Sequence, residues 1–513
     1  MLDCFLAVSL RAQWSILTGW GHVPVAHARE LRSEDLPGLT AGMPLSRGLG
    51  RSYGDSSLPA PGDDVVAGST LADRILSFDP DSGILRAEAG LSLRDMVWLF
   101  LPRGFFTPVS PGTQYVTLGG MVAADIHGKG HHRDGCFGQH VTSLRLRVAD
   151  GRIVDCSPTK ERDLFRATVG GMGLTGHILE VSVRLKRIPS PWIVYESVRV
   201  DDIDAYMAAL KEAASTWPQT VGFIDCSKGG RHLGRGILIK GRWAEPKEAP
   251  PQPPQPKRTR AVPFNLPSGL INPLTTRIFN AFTYWKHWSR VRRGVIHPEA
   301  YFYPLDKLLH WNRAYGRRGF TQYQCLLPNA AGPDAPRRFL ELLRAQRVAS
   351  PVCVIKDHGP ESIGLLSFPC PGVSIAVDFP VDDRTQGVVD ALNDFVIKAG
   401  GRVYLAKDAF TREEHYRAME PRRLPEWEAI RRRWDPEKKL RSRQSVRILG
   451  DRVEAVLGSP GAGAATGAAL PGPTAAPGPS LASVPAVASA VSTAPAEAPL
   501  DAAAPPPPRS RTA

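Results

Sequence analysis

The glycine-rich stretch from Pro108 to His140 constrains the fold of this chain more than any other part of the sequence. It contains seven glycines and four histidines, and the run Gly119–Ala124 is made mostly of small residues. Such residues let the backbone approach a ligand closely, and consecutive free N–H groups form a concave anion site. Apolar residues such as Val122 and Ile126 within the stretch indicate that it is half buried. The pattern predicts one wall of a site for a large planar cofactor that carries a pyrophosphate.

Two further glycine clusters, Arg47–Ser57 and Asp163–Gly176, flank this stretch. The first lacks the G-x-G-x-x-G spacing into a long amphipathic helix, which makes a Rossmann fold a weak interpretation. Its arginines, serines and glycines suit a phosphate cradle, and a simple turn between strands is the alternative. Short strands and the helix Ser92–Phe100, with Ser92 as its N-cap, lie between the clusters. We therefore predict an α+β domain that wraps an extended ligand.

Changes in composition along the chain predict how it divides into domains. A first domain is predicted over residues 1–190, and a second α+β domain, which alternates strands and helices, over 191–400. The second contains a proline-rich insert at about 245–262, which we expect to be a flexible excursion. Residues 401–457 return to ordered structure. The Ala/Pro-rich tail 458–513 cannot bury a core and is predicted to be disordered.

The charge of the chain favours an anionic partner. The formal net charge is +14, which suits a phosphate-bearing substrate or an acidic membrane, although a solvated surface in an arginine-rich protein is equally compatible. The segment Arg277–Arg293 mixes basic and aromatic residues. It fits either the headgroup region of an anionic bilayer or a core helix with solvated basic flanks. No recognised nucleic-acid module is present, so we expect no nucleic-acid partner.

Several classes of protein and site are disfavoured. The seven scattered cysteines lack any C-x-x-C, which argues against a disulfide framework and a structural zinc site. No apolar run is long enough for a spanning helix, and the first residues do not predict a cleaved signal. The histidines His127, His131, His132 and His140 have no carboxylate or thiolate partners at ligand spacing, so no metal site is expected.

Motifs along most of the chain resemble a known family. They are RGLGRSYGD (47–55), PGTQYVTLGGMVAADIHGKGHH (111–132), ATVGGMGLTG (167–176), FYPLDKLLHWNRAYG (302–316), QYQ (322–324), LSFPCPG (366–372), VDFP (377–380) and YLAKD (404–408). Together they are similar to the decaprenylphosphoryl-β-D-ribose 2′-oxidase family of the vanillyl-alcohol-oxidase/PCMH superfamily. The resemblance implies a PCMH-type FAD-binding domain over 1–190, a substrate domain over 191–400, and a C-terminal segment, 401–457, that returns to the flavin site.

The resemblance also implies an activity. A membrane-associated flavoprotein with non-covalent FAD would oxidise the 2′-hydroxyl of polyprenyl(decaprenyl)-phosphoryl-β-D-ribose to the 2′-keto sugar. An NADH-dependent short-chain reductase would complete epimerisation to the arabinose donor of the cell wall. The implied location is the cytoplasm or the inner-membrane surface, with the periplasmic face left open. A sugar-lactone or alditol oxidase acting on a soluble sugar is the alternative within the superfamily, and a flavin-free or catalytically idle scaffold on acidic membranes is the alternative outside it.

Family positions transfer to this chain residue by residue. The implied FAD contacts are Ser46, Arg47, Gly48, Leu49, Gly50, Arg51, Ser52, Tyr53, Gly54, Asp55, Ser56, Gly112, Thr117, Leu118, Gly119, Gly120, Ala124, Asp125, Ile126, His127, Ile178 and Tyr404. The implied catalytic residues are Lys407, His127 and Tyr53, and the substrate contacts are Lys129, Gln322, Gln324 and Lys356. Two positions depart from the family: Ala376 stands where a cysteine is frequent, and Ser374 replaces the commoner asparagine. These departures bear on the shape of the sugar pocket.

The chemistry of flavin-dependent alcohol oxidation assigns roles to these residues. A cation near the flavin or the substrate oxygen would stabilise developing negative charge, and Lys407 is the first choice for it. His127 is the candidate base, and Lys129 and Lys356 are candidates for the substrate phosphate. The plain alternatives are a surface lysine, a loop histidine and solvated lysines. Covalent relatives attach flavin through a histidine in the first glycine loop, where this chain has Ser52–Asp55, so attachment there is not expected.

Overall fold

The structure is a computed structural model that describes residues 14–451. The tail 458–513, for which disorder is predicted, and the first residues of the chain, for which no cleaved signal is predicted, lie outside the described residues.

Two sheets form the N-terminal half. Its strands are β1 (Trp14–Thr18), β2 (Val25–Arg32), β3 (Ser46–Arg47), β4 (Val65–Gly68), β5 (Ile75–Asp79), β6 (Ile84–Glu88), β7 (Phe105–Phe106), β8 (Val141–Arg147), β9 (Ile153–Cys156), β10 (His177–Arg184) and β11 (Lys186–Arg187). The first sheet has the order β1-β2-β4-β3, and β4 runs parallel to both β2 and β3. The second is antiparallel, with the order β5-β6-β10-β8-β9. The short strands β7 and β11 pair separately.

Five helices accompany these sheets. They are α1 (Leu36–Leu39), α2 (Leu93–Phe100), α3 (Leu118–Ala123), α4 (His131–Asp134) and α5 (Arg162–Thr168). The Ser92 hydroxyl accepts a hydrogen bond from the backbone N–H of Asp95, which confirms the predicted N-cap of α2. Strands β8 and β9 form a hairpin, in which Gly151 takes the left-handed conformation that such a turn requires, with φ of 91°.

One antiparallel sheet organises the second half. Its strands, together with two short ones, are β12 (Ile193–Val200), β13 (Gln219–Ile224), β14 (Gly236–Trp243), β15 (Arg260–Ala261), β16 (Val291–Ile296), β17 (Leu308–Leu309), β18 (Phe320–Pro328), β19 (Cys353–His358), β20 (Gly372–Pro380) and β21 (Arg402–Val403). Eight of them pair in the order β16-β12-β14-β13-β19-β20-β18-β21. Strands β18 and β20 are buried along almost their whole length, so both faces of the sheet are covered there.

The helices of the second half are α6 (Ile203–Thr216), α7 (Pro273–Lys286), α8 (Pro298–Phe302), α9 (Ala335–Ala345), α10 (Thr385–Lys398), α11 (Glu413–Met419), α12 (Arg423–Trp434) and α13 (Arg443–Leu449). Helices α6, α9 and α10 share one apolar core with the inward residues of β18, β19 and β20. A second apolar core joins the five-stranded sheet to α2, α3 and α5. The α+β class is therefore confirmed, and the described residues belong to one compact unit.

The proline-rich insert 245–262 is anchored to the body of the protein. The indole of Trp192 donates to the carbonyl of Gln252 at 3.2 Å, and the ring of His297 donates to that of Gln255 at 2.8 Å. The backbone N–H of Lys257 donates to Glu299 at 3.0 Å. These contacts correct the prediction of a free excursion: prolines remove regular structure here, but neighbouring polar side chains satisfy the exposed carbonyls.

Helix α7 turns its polar face inward. Thr276, Asn280 and Tyr284 are its buried residues, and Asn280 donates to Asp225 and to the Ser350 carbonyl. The large apolar residues of the helix and its flanks are exposed, which contradicts the interpretation of this segment as a core helix. Within residues 14–451, the structure contains no helix both long enough and apolar enough to span a bilayer.

Candidate active site

Three adjacent strands of the eight-stranded sheet present polar side chains at every second position. Along β18, Tyr323 and Cys325 pack into the core beneath α9 and α10, so that Gln322 and Gln324 point to the opposite face. The same alternation on β20 and β19 gives that face Ser374, Ala376, Asp378, Lys356 and His358. Cross-strand register places Gln322 opposite Asp378, and Lys356 opposite Ser374. A polar floor is thereby built on a buried sheet.

The glycine-rich stretch 108–140 covers this floor. The side-chain amide of Gln324 donates to Nε2 of His127 at 3.0 Å, and the Tyr404 hydroxyl donates to the carbonyl of Ala124 at 3.0 Å. The His127 ring also lies between the rings of Phe368, at 5.3 Å, and His358, at 5.2 Å. The stretch is therefore half buried, as predicted, because its apolar residues pack beneath it and its polar end meets the sheet.

The first glycine loop is held between this stretch and the C-terminal segment. The N–H of Tyr53 donates to the carbonyl of Ala406 at 2.9 Å. A Cβ at Gly54 would lie 2.0 Å from the carbonyl oxygen of Asp408, and a Cβ at Gly48 would lie 2.3 Å from the hydroxyl of Thr117. Only glycine permits these approaches, which is why two glycines of RGLGRSYGD fix the loop where the three segments meet.

The backbone of this loop offers unused donors. Within residues 14–451, the N–H groups from Leu49 to Ser52 donate to no other group of the protein, and Gly50 is left-handed, with φ of 62°. Consecutive N–H groups around a left-handed residue form a concave anion site. The loop therefore fits the pyrophosphate of FAD, and the chemistry of its donor set agrees with the flavin that the motifs imply.

Lys407 and Tyr53 meet where the first loop and the C-terminal segment join. The Lys407 ammonium lies 3.6 Å from the centre of the Tyr53 ring, close enough for a strong cation–π contact. Lys407 lies deep in the protein but retains some accessible surface. Tyr53 packs in turn against Phe320, with ring centres 5.4 Å apart. The predicted surface-lysine alternative for Lys407 is therefore wrong.

Three lysines lie close enough to influence one another's charge, because Lys356 repels both Lys129 and Lys407. Burial, and then repulsion by Lys356, lowers the pKa of Lys129 to about 7. Burial alone lowers the pKa of Lys356 to about 8. Burial also lowers the pKa of Lys407, with a further lowering by Lys356 that Asp378 opposes. Because these cations repel one another without direct carboxylate partners in the described residues, the site favours an anionic ligand.

The histidines of the site are neutral at pH 7. Burial and the nearby cations Lys356 and Lys407 hold the pKa of His127 well below its usual value. Burial, then His131 and Lys356, does the same to the pKa of His358. Burial, followed by repulsion from His132 and Lys356, lowers the pKa of His131 to about 4. Neutral imidazoles can accept protons, so His127 is in the state that a base requires.

A cavity borders one end of this site. It is lined by Ser110, Gly128, Lys129, His131, Gln219 and Trp243 among others. The Lys129 ammonium donates to the carbonyl of Phe302 at 2.9 Å and lies 5.2 Å from the Tyr301 ring. The lysine thus stands between the histidines of the floor and the open cavity, which is a suitable place for a phosphate group.

Several residues that are predicted to contact FAD already use their side chains in hydrogen bonds with other residues of the protein. Arg47 donates to the carbonyl of Thr18 at 2.7 Å, and Asp55 accepts two hydrogen bonds from Arg447. Asp125 accepts from the Gly138 N–H at 2.7 Å and from Ser367 at 2.5 Å. Any contact of Arg47, Asp55 and Asp125 with a cofactor would therefore be made through the backbone.

The remaining predicted positions gather around the same centre. The Ser46 hydroxyl donates to Nδ1 of His177, the residue before Ile178. Thr117 caps α3, and a Cβ at Gly112 would meet only open space. Three chain segments that are far apart in sequence are therefore brought together as the family motifs imply.

Three polar residues of the site were not predicted as such. Asp378 is fully buried and accepts a hydrogen bond from the Gln322 amide, and His358 contacts Ser374 at 2.8 Å. Arg447 bridges the first loop to the C-terminal segment. Asp378 carried a usable signal, since it is an acidic residue inside an otherwise buried strand. Arg447 carried none, because its helix is rich in basic residues.

The four histidines of the stretch are separated by their hydrogen bonds. The His132 ring donates to the Trp217 carbonyl at 2.9 Å, and the His140 ring donates to that of Asp134 at 2.8 Å. Among residues 14–451, no group of three or more His, Cys, Asp and Glu side chains is arranged to hold a metal ion.

Known proteins are similar to this chain over different parts of its length. Residues 42–157 match the model of the FAD binding domain family. The chain is 33% identical over 439 residues to a decaprenylphosphoryl-β-D-ribose oxidase of Mycolicibacterium smegmatis, with 82% of this chain and 94% of that protein covered. It is 32% identical to a Streptomyces coelicolor protein described as an uncharacterized protein in the mprA 5′ region, with 67% and 96% covered. A putative D-arabinono-1,4-lactone oxidase of Neurospora crassa shares 29% identity, over only 23% of this chain and 21% of that protein.

Proposed function

Because this chain belongs to the decaprenylphosphoryl-β-D-ribose oxidase family, we propose that it oxidises the 2′-hydroxyl of a polyprenylphosphoryl-β-D-ribose to the 2′-keto sugar. It is an FAD-dependent oxidoreductase that acts on a CH–OH group. In this proposal, residues 1–190 form the FAD-binding domain, residues 191–400 bind the substrate, and residues 401–457 complete the flavin site.

The observation that carries the proposal is the set of three partly exposed but desolvated lysines, Lys129, Lys356 and Lys407, near a neutral His127. A soluble neutral sugar gives no reason to gather three mutually repelling ammonium groups in a buried site. A substrate with a phosphodiester, next to a flavin with a pyrophosphate, supplies the missing negative charge. The soluble-sugar alternative lacks such a reason, and the lactone oxidase relative matches only about a quarter of the chain.

FAD, when bound, supplies the acceptor for the hydride that leaves the carbinol carbon. Lys407 stabilises negative charge that develops as the reaction proceeds, because its ammonium is fixed on the Tyr53 ring. Gln322 and Gln324 orient the sugar by hydrogen bonds, and Lys129 and Lys356 hold the phosphate.

His127 is the proposed acceptor of the hydroxyl proton. Its Nε2 is held by the Gln324 amide, whereas its Nδ1 is buried without a partner in the described residues. A flip of the Gln324 amide would turn its oxygen towards His127. In that orientation Gln324 accepts a hydrogen bond from Nε2–H, and Nδ1 is free to accept a proton. The lowered pKa of His127 keeps the ring unprotonated before the step.

FAD is proposed to bind without a covalent link. The first glycine loop has Ser52–Asp55 where covalent relatives carry a histidine, and its backbone donors fit a freely exchanging pyrophosphate. Acid precipitation of the purified protein should release all of the flavin into the supernatant. Flavin that stays with the precipitated protein would contradict non-covalent binding.

The activity is tested by turnover of polyprenylphosphoryl-ribose with an artificial electron acceptor. The expected product is lighter by two hydrogens and is consumed by an NADH-dependent short-chain reductase, the proposed pathway partner, to give the arabinose epimer. Vigorous peroxide formation from free sugars or alditols, with no turnover of the lipid-linked ribose, would favour the soluble-sugar alternative.

We further propose that the protein docks peripherally on an anionic membrane through α7 and its flanks. The outward apolar residues are Phe264, Leu270, Leu274, Ile278, Phe279, Phe282, Trp285 and Trp288, and most are at least half exposed. Exposed basic residues, including Arg277, Lys286 and Arg293, accompany them. Soluble proteins rarely leave such a patch uncovered, and apolar residues beside cations suit the headgroup boundary of an anionic bilayer.

The patch also adjoins the catalytic region. Ile271, which directly precedes the N-cap of α7, packs on the cluster of Tyr53, Tyr315 and Phe320. A lipid-linked sugar held in the membrane would thus meet the protein near the ring that supports Lys407. The patch supports a location at the inner-membrane surface, on the cytoplasmic or the periplasmic side.

The membrane proposal is tested by sedimentation of the full chain with vesicles. Ile278→Ser combined with Phe282→Ser removes two large exposed side chains and should weaken binding to phosphatidylglycerol vesicles by at least about tenfold. Leu71→Ser, which changes another half-exposed leucine, is the matched control and should bind normally. Equal binding by the double variant, or no preference for phosphatidylglycerol over phosphatidylcholine, would contradict docking through α7.

A further inference from the structure

Asp378 occupies an unusual position for a carboxylate. It lies in the middle of the buried strand β20 and has no accessible surface. One oxygen accepts a hydrogen bond from the Gln322 amide, whereas Oδ2 is buried without a donor in residues 14–451. A buried carboxylate with an unpaired oxygen costs free energy, so its retention in the site calls for a role beyond packing.

The cation that interacts electrostatically with this carboxylate is Lys407. The pairing of β18 with β21, and the bond from the Tyr404 N–H to the carbonyl of Gln324 at 3.0 Å, bring the lysine turn beside the strand that carries Gln322. No ion pair within 4.0 Å joins Asp378 to Lys407 in the described part of the chain. The two charges therefore act on each other through space across the floor of the site.

We propose that Asp378 is a positioning residue that keeps Lys407 in its ammonium form, so that Lys407 can stabilise negative charge during oxidation. Two conditions of the site would otherwise remove the proton from Lys407: it is buried, and Lys356 repels it. Among the residues that the structure describes, the Asp378 carboxylate is the acidic side chain whose attraction opposes them. This inference rests on the proposed function only for the reason why a charged Lys407 is needed.

The two residues shift each other's pKa in the directions that this pairing requires. Burial raises the pKa of Asp378 overall, and the Gln322 hydrogen bond and Lys407 oppose only part of that rise. Other titratable groups around the carboxylate are Tyr53, Tyr315 and Cys353. Burial and then Asp378 raise the pKa values of the two tyrosines, and a hydrogen bond with Cys226, followed by burial, raises the pKa of Cys353. None of these three carries a charge at neutral pH, so Lys407 and Lys356 dominate the local field.

The direct test is the protonation of Lys407 in the flavin-free protein. Trace labelling with an amine reagent at a series of pH values, read on the Lys407 peptide by mass spectrometry, gives the pH at which the amine becomes reactive. Asp378→Asn keeps the size and the Gln322 contact but removes the charge. It should move this midpoint down by about one pH unit, the lower end of the 1–3 units by which a nearby opposite charge shifts a pKa.

Turnover by the flavin-loaded enzyme gives the second measurement. If charged Lys407 is required, the rate falls as pH rises through its pKa, and Asp378→Asn should move that basic limb to lower pH by the same amount. Asp306→Asn changes another buried carboxylate, one that does not act on Lys407, and should leave the limb in place. Asp378→Glu, which restores the charge, should recover most of the shift.

Unchanged midpoints in both measurements, with a rate lowered equally at every pH, would show that Asp378 is only structural and overturn the inference. Should Asp378→Asn fail to fold, Asp378→Ser provides a second uncharged variant for the same labelling. Because labelling needs neither flavin nor substrate, a shifted midpoint without oxidation of lipid-linked ribose would refute the proposed function and leave the inference standing. Oxidation of lipid-linked ribose with an unshifted midpoint would support the proposed function and refute the inference about Asp378.

Discussion

Two neighbouring clusters of charged side chains in this protein differ in whether their charges form ion pairs. In the first, Arg447 is bound by Asp55 through contacts of 2.7 and 3.0 Å and by Asp408 at 2.9 Å. In the second, Lys407 and its neighbouring lysines lack any carboxylate at ion-pair distance within residues 14–451. The clusters share two chain segments, because Tyr53 and Asp55 belong to one loop and Lys407 and Asp408 are adjacent.

The difference in ion pairing distinguishes a cluster that stabilises the fold from a cluster that is suited to bind a ligand. Where every charge has its partner, as around Arg447, the cluster fixes the first glycine loop against the C-terminal segment and needs no ligand. Where cations are left to repel one another, as around Lys407, the fold accepts an unfavourable arrangement that an anionic ligand would relieve. Neighbouring residues of the same segments thus belong to different clusters: one cluster stabilises the fold, and the other is suited to bind a ligand.

The largest effect is expected from breaking the paired cluster. Arg447→Met leaves two buried carboxylates without their partner, and we expect the free energy of unfolding to fall by about 3–5 kcal/mol. Denaturant unfolding of the flavin-free protein measures it. Arg433→Met, which breaks the exposed pair with Asp163, is the matched control and should cost less than about 1 kcal/mol. Similar losses in both variants would remove the distinction.

The unpaired cluster should respond in the opposite way. Lys407→Met removes a buried cation that has no direct partner, so we expect the rate of oxidation to fall about 10²–10³-fold while the melting temperature of the flavin-free protein does not decrease. Lys398→Met, at an exposed position of α10, controls for the loss of a lysine and should retain full activity. A marked fall in stability for Lys407→Met would mean that Lys407 is part of the supporting structure.

A smaller effect is expected from the ring beneath Lys407. Tyr53→Leu removes the cation–π contact, which contributes about 2 kcal/mol in a desolvated site, and should slow oxidation by up to about 30-fold. Tyr53→Phe keeps the ring and should retain most of the activity. Steady-state rates at saturating substrate distinguish the two variants, and equal losses would indicate that the hydroxyl rather than the ring matters.

The smallest effect concerns pH and stability. Lys356 has a pKa of about 8 in the folded protein against 10.5 for an ordinary lysine, so between these values the unfolded chain binds more protons than the folded one. Stability of the flavin-free protein therefore rises with pH in this window, by at most about 1.4 kcal/mol per pH unit from this residue. Lys356→Met should flatten the rise seen in denaturant unfolding at pH 8 to 10. A slope equal to that of the wild-type protein would show that Lys356 is not desolvated.

Local signals predicted much of this structure. Ser92 starts a helix because its hydroxyl satisfies a free N–H, and Gly151 turns a hairpin because it tolerates positive φ; both effects depend on a few adjacent residues. Helix α3 was missed because two glycines and a β-branched residue disfavour a helix, and its packing against the sheet outweighs that propensity. The outward apolar face of α7 was only half anticipated, since spacing does not reveal which face meets the protein.

The site was predictable where a motif carried it. YLAKD and the two glutamines of QYQ indicated Lys407, Gln322 and Gln324, and the structure brings them together. Asp378 was not predicted, although an acidic residue inside an apolar strand is a usable signal. Its relation to Lys407 arises only when β18, β20 and the lysine turn lie side by side. Such long-range electrostatic relations have no signature in the spacing of residues along the chain.

The central claim, that this flavoprotein oxidises a lipid-linked ribose in a site built for anions, is tested most directly by an anaerobic absorption spectrum. Adding polyprenylphosphoryl-ribose to the purified holoprotein should bleach the long-wavelength flavin band in proportion to the sugar added, whereas free ribose should leave the band unchanged. A band that persists with the phosphoryl-ribose, or that bleaches equally with free ribose, would contradict the claim.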